Sequence, residues 1–464
     1  MLELIIVIFY FLVVIAIGIY NRIRAQSIDD FLVAGRKGSS LVITGSLLAT
    51  IVGGSATIGM AGLGFSRGLT GSWWLLTGTI GLVILGIFLA KKVRNYALYT
   101  IPEIIEKHYD GRVALAGSIL IVISWLGIIA GQIVAAGKIM TVLTIGTPLM
   151  WMVIFAFVFV VYTIIGGQFA IIRTDTLQAF IIFVGVFLGV GFVLSEAGGF
   201  GGLHESLPAD SFSFPLNSEF DAYELVKLLF LVGLTYVVGP DMYTRIFCAR
   251  DGKVARKSTL WAGGLLVPFA FAIAIIGMGA AALFPDIAAE QAFPTVIKEV
   301  LPPFVGGIVL AALLCAVMSS ADTCLLSAST ILTIDIIKKL KPTLGEDRVL
   351  PLSRWMILII GGGAMVVAWK LGGVINSLLF AYTVYTSGLI LPILFGFYKD
   401  RLKLTSAGAL AAIVCGGTTA LVSKLADIKY LDLGSLLISI VVLFSVSLLD
   451  NWLNLRKRPL ASLD

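Results

Sequence analysis

Apolar runs separated by short polar intervals organise the whole chain. Each run approaches the ~20 residues that a helix needs to cross about 30 Å of hydrocarbon. The pattern predicts thirteen membrane-spanning helices, near residues 2–21, 41–65, 71–91, 113–138, 147–167, 174–196, 223–246, 259–285, 303–336, 353–371, 373–397, 405–424 and 431–452. The ten-residue alternating strands of a membrane barrel are absent. The first run is too long for a signal peptide and lacks its small-residue cleavage site, so it counts as a span.

Two spans are interrupted. The second contains ATIVGGSATIG (49–59), with Gly53, Gly54 and Ser55 where a continuous helix would carry strong helix formers. The seventh contains LTYVVGPDMYTR (234–245), where Gly239 and Pro240 remove a backbone donor. Either one alone could be an ordinary kink or a close helix contact. They are five spans apart, so they fall at equivalent positions of two five-helix repeats, the arrangement that marks a transporter's central site.

The ninth span carries ALLCAVMSSADTCLLSASTIL (312–332). Ala316, Ser319, Ser320 and Thr323 share one helical face by their i, i+3, i+4, i+7 spacing, and Asp322 lies one step round. Hydroxyls in a membrane helix commonly bond back to their own backbone. A stripe of them beside a carboxylate instead offers oxygen ligands to a hard cation such as sodium. Asp175, next to Arg173 in IIRTDTLQ, is a second acid, read either as a site residue or as an acid favoured by its helix N-terminus. Asp241 has two readings as well, and an ion pair with Arg245 four residues on is the simpler.

Composition agrees with the pattern: 59% of residues are hydrophobic, 13% are charged and mean hydropathy is +1.03. A soluble domain carries about 25% charge. Most of the 33 Lys and Arg fall in loops that alternate spans would place on one side, including Arg22, Arg24, Lys92, Lys107, Arg245, Lys399 and Lys457. The loop holding Glu205, Asp210, Glu219 and Asp221 falls opposite. Positive-inside bias then predicts an outside N-terminus and a cytoplasmic C-terminus, in a prokaryotic plasma membrane. This topology accounts for the net charge of +6 without nucleic acid. Neither an appended soluble domain nor an obligate protein partner is expected. The four cysteines have no metal or disulfide spacing.

The chain resembles the sodium:solute symporter family over nearly its whole length. The resemblance is carried by DDFLVAGRKGS, GSLLATIVGGSATIGMAGLGFSRG, YTIPEIIEKHY, GGQFAIIRTDTLQ, GPDMYTR and CAVMSSADTCLLSAST. It implies an all-α leucine-transporter-type core of two inverted five-helix repeats, broken in the first and sixth core helices. Residues 1–40 would be an extra helix and loop, 41–196 and 197–397 the repeats, and 398–464 two further helices and a tail. It implies a sodium site made by the carbonyls of Ala49, Val52 and Ala316 with the hydroxyls of Ser319 and Ser320. A second sodium site, found in some members, would fall on Asp175, Ser319, Asp322 and Thr323. The solute would lie near Ser55, Thr57, Trp73, Trp74, Asp241 and Tyr382. Proline-type members carry an acid, a serine and a tryptophan where this chain has Ile51, Gly53 and Ser55, and the polar residues of sugar-type members are missing near Ala56 and Leu75.

The expected activity is sodium-driven uptake of a small amino acid or organic acid. A cation channel would use the same oxygen chemistry but needs a continuous ion path. A substrate-sensing receptor would carry a signalling domain. An enzyme is disfavoured, because both histidines (His108, His204) fall outside the spans and no nucleophile–base pair lies within them.

Overall fold

The computed structural model describes residues 2–22, 27–143, 145–426, 428 and 430–456. Arg24, Lys457 and Arg458, counted among the loop cations, lie outside them. The described chain is almost entirely helical, and ten of its segments are long and apolar enough to cross a membrane. Three of the ten are compound, among them Ala222–Cys248, which is interrupted at Gly239. Ser55–Asn95 is divided by a tight turn at Gly68–Ser72, and the 49-residue run Pro148–Glu196 is broken at Gly167. Gly167 takes φ 53° and ψ −161°, and a Cβ there would stand 2.4 Å from the Phe31 ring. Only glycine fits that backbone against that neighbour.

Pro303–Ile331 lies at the centre, packed against Pro148–Glu196, Gly111–Ile139, Leu2–Arg22, Glu346–Leu371 and Ser40–Ile51. Its most apolar window is 83% buried, against 33% for Leu431–Asn454. The hydroxyl stripe therefore faces protein and not lipid, which is where polar groups in a bilayer find partners.

The basic loops gather at one end. Gly38 N–H donates to Cys248 O at 2.9 Å, and Arg250 N–H to Gly38 O at 3.0 Å. Arg36 reaches the carbonyls of Ala97 and Leu98, and Lys339 pairs with Glu106 at 2.5 Å. Arg245 is the exception. It is fully buried inside the bundle and does not belong with the loop cations.

Candidate ion and solute site

The first break forms where the sequence places it. Ser40–Ile51 ends with Val52 N–H closing onto Leu48 O at 2.9 Å, and Val52 leaves helical geometry at φ −81°, ψ 65°. The carbonyls of Ala49, Thr50, Ile51 and Val52 thus lie past the last helical hydrogen bond, as unspent acceptors. One is taken at once, because Ser320 Oγ donates to Thr50 O at 2.5 Å. On the far side of the break, Gly54 N–H donates to Gln132 Oε1 at 2.8 Å. Gln132 is the one strongly polar side chain in the apolar run GIIAGQIVAAG, a signal the sequence reading passed over.

Gly53 is needed for this contact. A Cβ there would come within 2.4 Å of Ser320 Oγ and 2.9 Å of Gln132 Oε1. Gly53→Ala is expected to push the broken helix off the stripe and to raise the sodium concentration for half-maximal uptake at least tenfold, roughly 1.4 kcal/mol of ion binding. Sodium titration of uptake by the purified, reconstituted variant checks this, and an unchanged midpoint would contradict the packing argument.

The second break is held by a neighbouring helix. Gly239 is extended at φ −66°, ψ 135° between Leu234–Val238 and Pro240–Cys248. Tyr385 O–H donates to Val238 O at 2.6 Å, supplying the partner that the broken backbone lacks. Thr386 Oγ1 donates to Leu231 O at 2.9 Å and meets Thr235 Oγ1 at 3.1 Å.

Between the breaks lies a buried polar cluster. Asp175 accepts from Ser319 Oγ at 2.5 Å and from Ser46 Oγ. Arg245 Nη2 donates to the same carboxylate at 2.9 Å, with the two side chains 0% and 1% exposed. The guanidinium also donates to Ser46 Oγ at 3.1 Å and to Thr323 Oγ1. Thr323 O–H in turn donates to Ser319 O at 2.7 Å. A hydroxyl has one proton and two lone pairs. Ser319 and Ser320 have committed their protons to Asp175 and to the Thr50 carbonyl, so their lone pairs are left for a cation.

Several expectations need correction. Arg245 pairs with Asp175, 70 residues away, and not with Asp241 in its own turn. Asp175 does not begin a helix, because the helix resumes directly after Gly167 and places it two turns in. Arg173, Asp175's neighbour in the sequence, is exposed, with its guanidinium 4.3 Å from the Phe169 ring. The quartet Asp175, Ser319, Asp322 and Thr323 is divided. Three members gather round Arg245, whereas Asp322 accepts from Thr163 Oγ1 at 3.0 Å on another face.

The solute residues divide as well. The Trp74 and Tyr382 rings stand 6.4 Å apart, Tyr382 is hydrogen-bonded to Tyr236 of the second broken helix, and Ser55 is buried at the first break. The Asp241 carboxylate turns back to the second break, 2.7 Å from where a Gly239 Cβ would lie. Trp73 does not join them; its ring stacks on Phe214 at 5.3 Å and its Nε1 donates to Pro215 O at 2.9 Å. Thr57 Oγ1 donates to Gly53 O at 3.0 Å, so its hydroxyl braces the break.

Two interrupted helices flanking a central helix of buried hydroxyls and a charge pair define a secondary transporter. A model of the sodium:solute symporter family matches residues 31–416, and the chain belongs to that family. Sodium is accordingly the coupled ion, a co-transported substrate, and the protein is a transporter, not an enzyme. The chain is 27% identical over 484 residues to a sodium/glucose cotransporter of Vibrio parahaemolyticus, an alignment covering 95% of this chain and 89% of that one. It is 25% identical over 464 residues to the sodium/pantothenate symporter of Escherichia coli (strain K12), covering 95% and 94%. In structure it resembles a substrate-bound, outward-open Na+-coupled sialic acid symporter, with a TM-score of 0.81 at 16% identity, covering 97% of this chain and 98% of that one. It also resembles MhsT in complex with L-phenylalanine, with a TM-score of 0.59 at 16% identity, covering 88% and 99%. These likenesses place the helical architecture with the leucine-transporter type.

Proposed function

We propose that the chain couples inward sodium flow to uptake of a small organic solute by alternating access, with an amino acid or small organic acid as the solute class. One observation carries the reading. Ser320 of the central helix donates to the Thr50 carbonyl at the end of the broken helix, and with both serine protons committed, hydroxyl lone pairs and the remaining carbonyls of that break are left over, a neutral set from which a monovalent ion can leave in every cycle. In this reading sodium binds the carbonyls of Ala49, Val52 and Ala316 and the hydroxyls of Ser319 and Ser320. The solute lies near Ser55, Trp74, Asp241 and Tyr382, where few polar groups are available to a sugar's many hydroxyls. Thirteen crossings, with the N-terminus outside a prokaryotic plasma membrane and 41–196 and 197–397 as inverted repeats, complete the proposal. The gathering of the basic loops at one end supports that orientation.

The second cation position is filled by Arg245 in this reading, since its guanidinium already neutralises Asp175. One sodium per cycle follows. Initial uptake rates in proteoliposomes should rise hyperbolically with sodium, and Asp322→Asn should leave that curve unaltered, because the amide oxygen can still accept from Thr163. A sigmoidal curve that Asp322→Asn makes hyperbolic would restore a second sodium. The solute class is tested by a panel of labelled amino acids, organic acids including pantothenate, and glucose under an imposed sodium gradient. Uptake of glucose alone would overturn the class. Solute flux indifferent to sodium would overturn the coupling.

A further inference from the structure

The basic face carries a site that transport does not use. An open cavity of about 640 Å³ lies between the end of Ala90–Asn95, the short helix Ile101–His108 and the turn at Lys399–Leu402. Lys92, Lys107, Lys399 and Arg401 line it, against the single carboxylate of Asp400. Among the described residues none of the four cations is within ion-pair distance of a carboxylate. Aromatic rings hold three of them in place. Lys92 lies 4.9 Å from the Phe397 ring, Lys107 4.1 Å from Tyr96 and Lys399 5.5 Å from Tyr109.

His108 registers the concentrated charge. Burial, then Lys92, Lys107 and Lys399, push its pKa down to about 4. The imidazole is neutral at pH 7, and its Nε2 is buried without a hydrogen-bond partner.

The cup is continuous with a second cavity of about 440 Å³, since Tyr398 and Arg401 line both. This trough runs along Ile84, Phe88, Leu394 and Phe395 and is almost wholly apolar. Phe88 is 65% exposed on the outer flank of its helix, where acyl chains would lie. A cationic cup opening into an apolar trough has the two halves of a phospholipid site. Basic pockets at the membrane boundary hold phosphate head groups, and an apolar flank accepts a chain. A soluble anion would have no use for the trough.

We propose that this pair of cavities binds one anionic phospholipid, with its phosphate between Lys92, Lys107 and Lys399 and one acyl chain along Phe88 and Phe395.

The test uses the purified, delipidated full-length protein, titrated by native mass spectrometry with phosphatidylglycerol, phosphatidylcholine or glycerol 1-phosphate. One phosphatidylglycerol should bind at least tenfold more tightly than phosphatidylcholine. Lys107→Gln and Lys399→Gln should each weaken phosphatidylglycerol by about fivefold while leaving phosphatidylcholine unchanged. Phe88→Ser should weaken both lipids. Equal affinity of the unaltered protein for the two lipids would overturn the proposal whether or not the variants fold. So would glycerol 1-phosphate displacing phosphatidylglycerol at equal concentration, which would make the cup a site for a soluble anion.

Discussion

Arg245→Gln is expected to abolish sodium-driven uptake and to destabilise the folded protein by about 3–5 kcal/mol, the cost of leaving a buried carboxylate without its partner. Asp175 would keep only the hydroxyls of Ser46 and Ser319, neither of which carries charge. The loss should spread beyond the pair, because the guanidinium also ties Ser46 and Thr323, and so joins its own helix to three others. Asp175→Asn should be harmful for the converse reason, stranding a guanidinium that is 0% exposed. The double variant Arg245→Gln, Asp175→Asn separates charge pairing from shape. It removes both charges and should recover most of the stability lost by either single change, since a buried pair is worth little against a neutral replacement. Thermal unfolding of the three variants in one detergent measures this. If the single variants unfold like the parent protein, the pair has no structural weight.

Ser320→Ala is expected to raise the half-saturating sodium concentration at least tenfold, about 1.4 kcal/mol, without unfolding the protein. In the proposed site the serine supplies one neutral oxygen, and it holds the Thr50 carbonyl at 2.5 Å, so its loss also lets the broken end move. Ser319→Ala should shift sodium activation similarly, but it costs a hydrogen bond to Asp175 as well, and its stability loss should be larger. Ser327→Ala is the control. Its hydroxyl meets Thr244 at 3.0 Å, two turns along the same helix, and its removal should leave the sodium midpoint in place. Sodium titration of uptake at fixed solute checks all three, and equal midpoints for Ser320→Ala and the parent protein would remove this serine from the ion site.

The breaks and the stripe were legible because they depend on local chemistry. Gly239-Pro240 cannot continue a helix whatever surrounds it, and four small or hydroxyl residues at i, i+3, i+4 and i+7 must share a face. The partners across the bundle were not legible. Within the sequence the nearest acid to Arg245 is Asp241, yet helix packing sets the guanidinium on Asp175. Nothing local distinguishes the two. Tyr385, Gln132 and Thr163 escaped notice for the same reason, since each is a single polar residue whose role depends on what stands opposite. Trp73 and Trp74 show the limit from the other direction. They are neighbours in sequence, but a helix turns successive residues by ~100°, and one ring packs inward while the other packs against the acidic loop.

The Arg245–Asp175 pair also bears on what the membrane voltage can drive. A tethered guanidinium cannot dissociate, so it adds no net charge to either leg of the cycle, and in the proposed one-sodium cycle each turnover moves only that sodium and whatever charge the solute carries. A zwitterionic solute then crosses with one positive charge, and 100 mV contributes about 2.3 kcal/mol, enough for a roughly fiftyfold gradient beyond that set by sodium concentrations. A monoanionic solute crosses with none, and its accumulation is blind to voltage. The current per molecule transported would therefore report the charge of the natural solute.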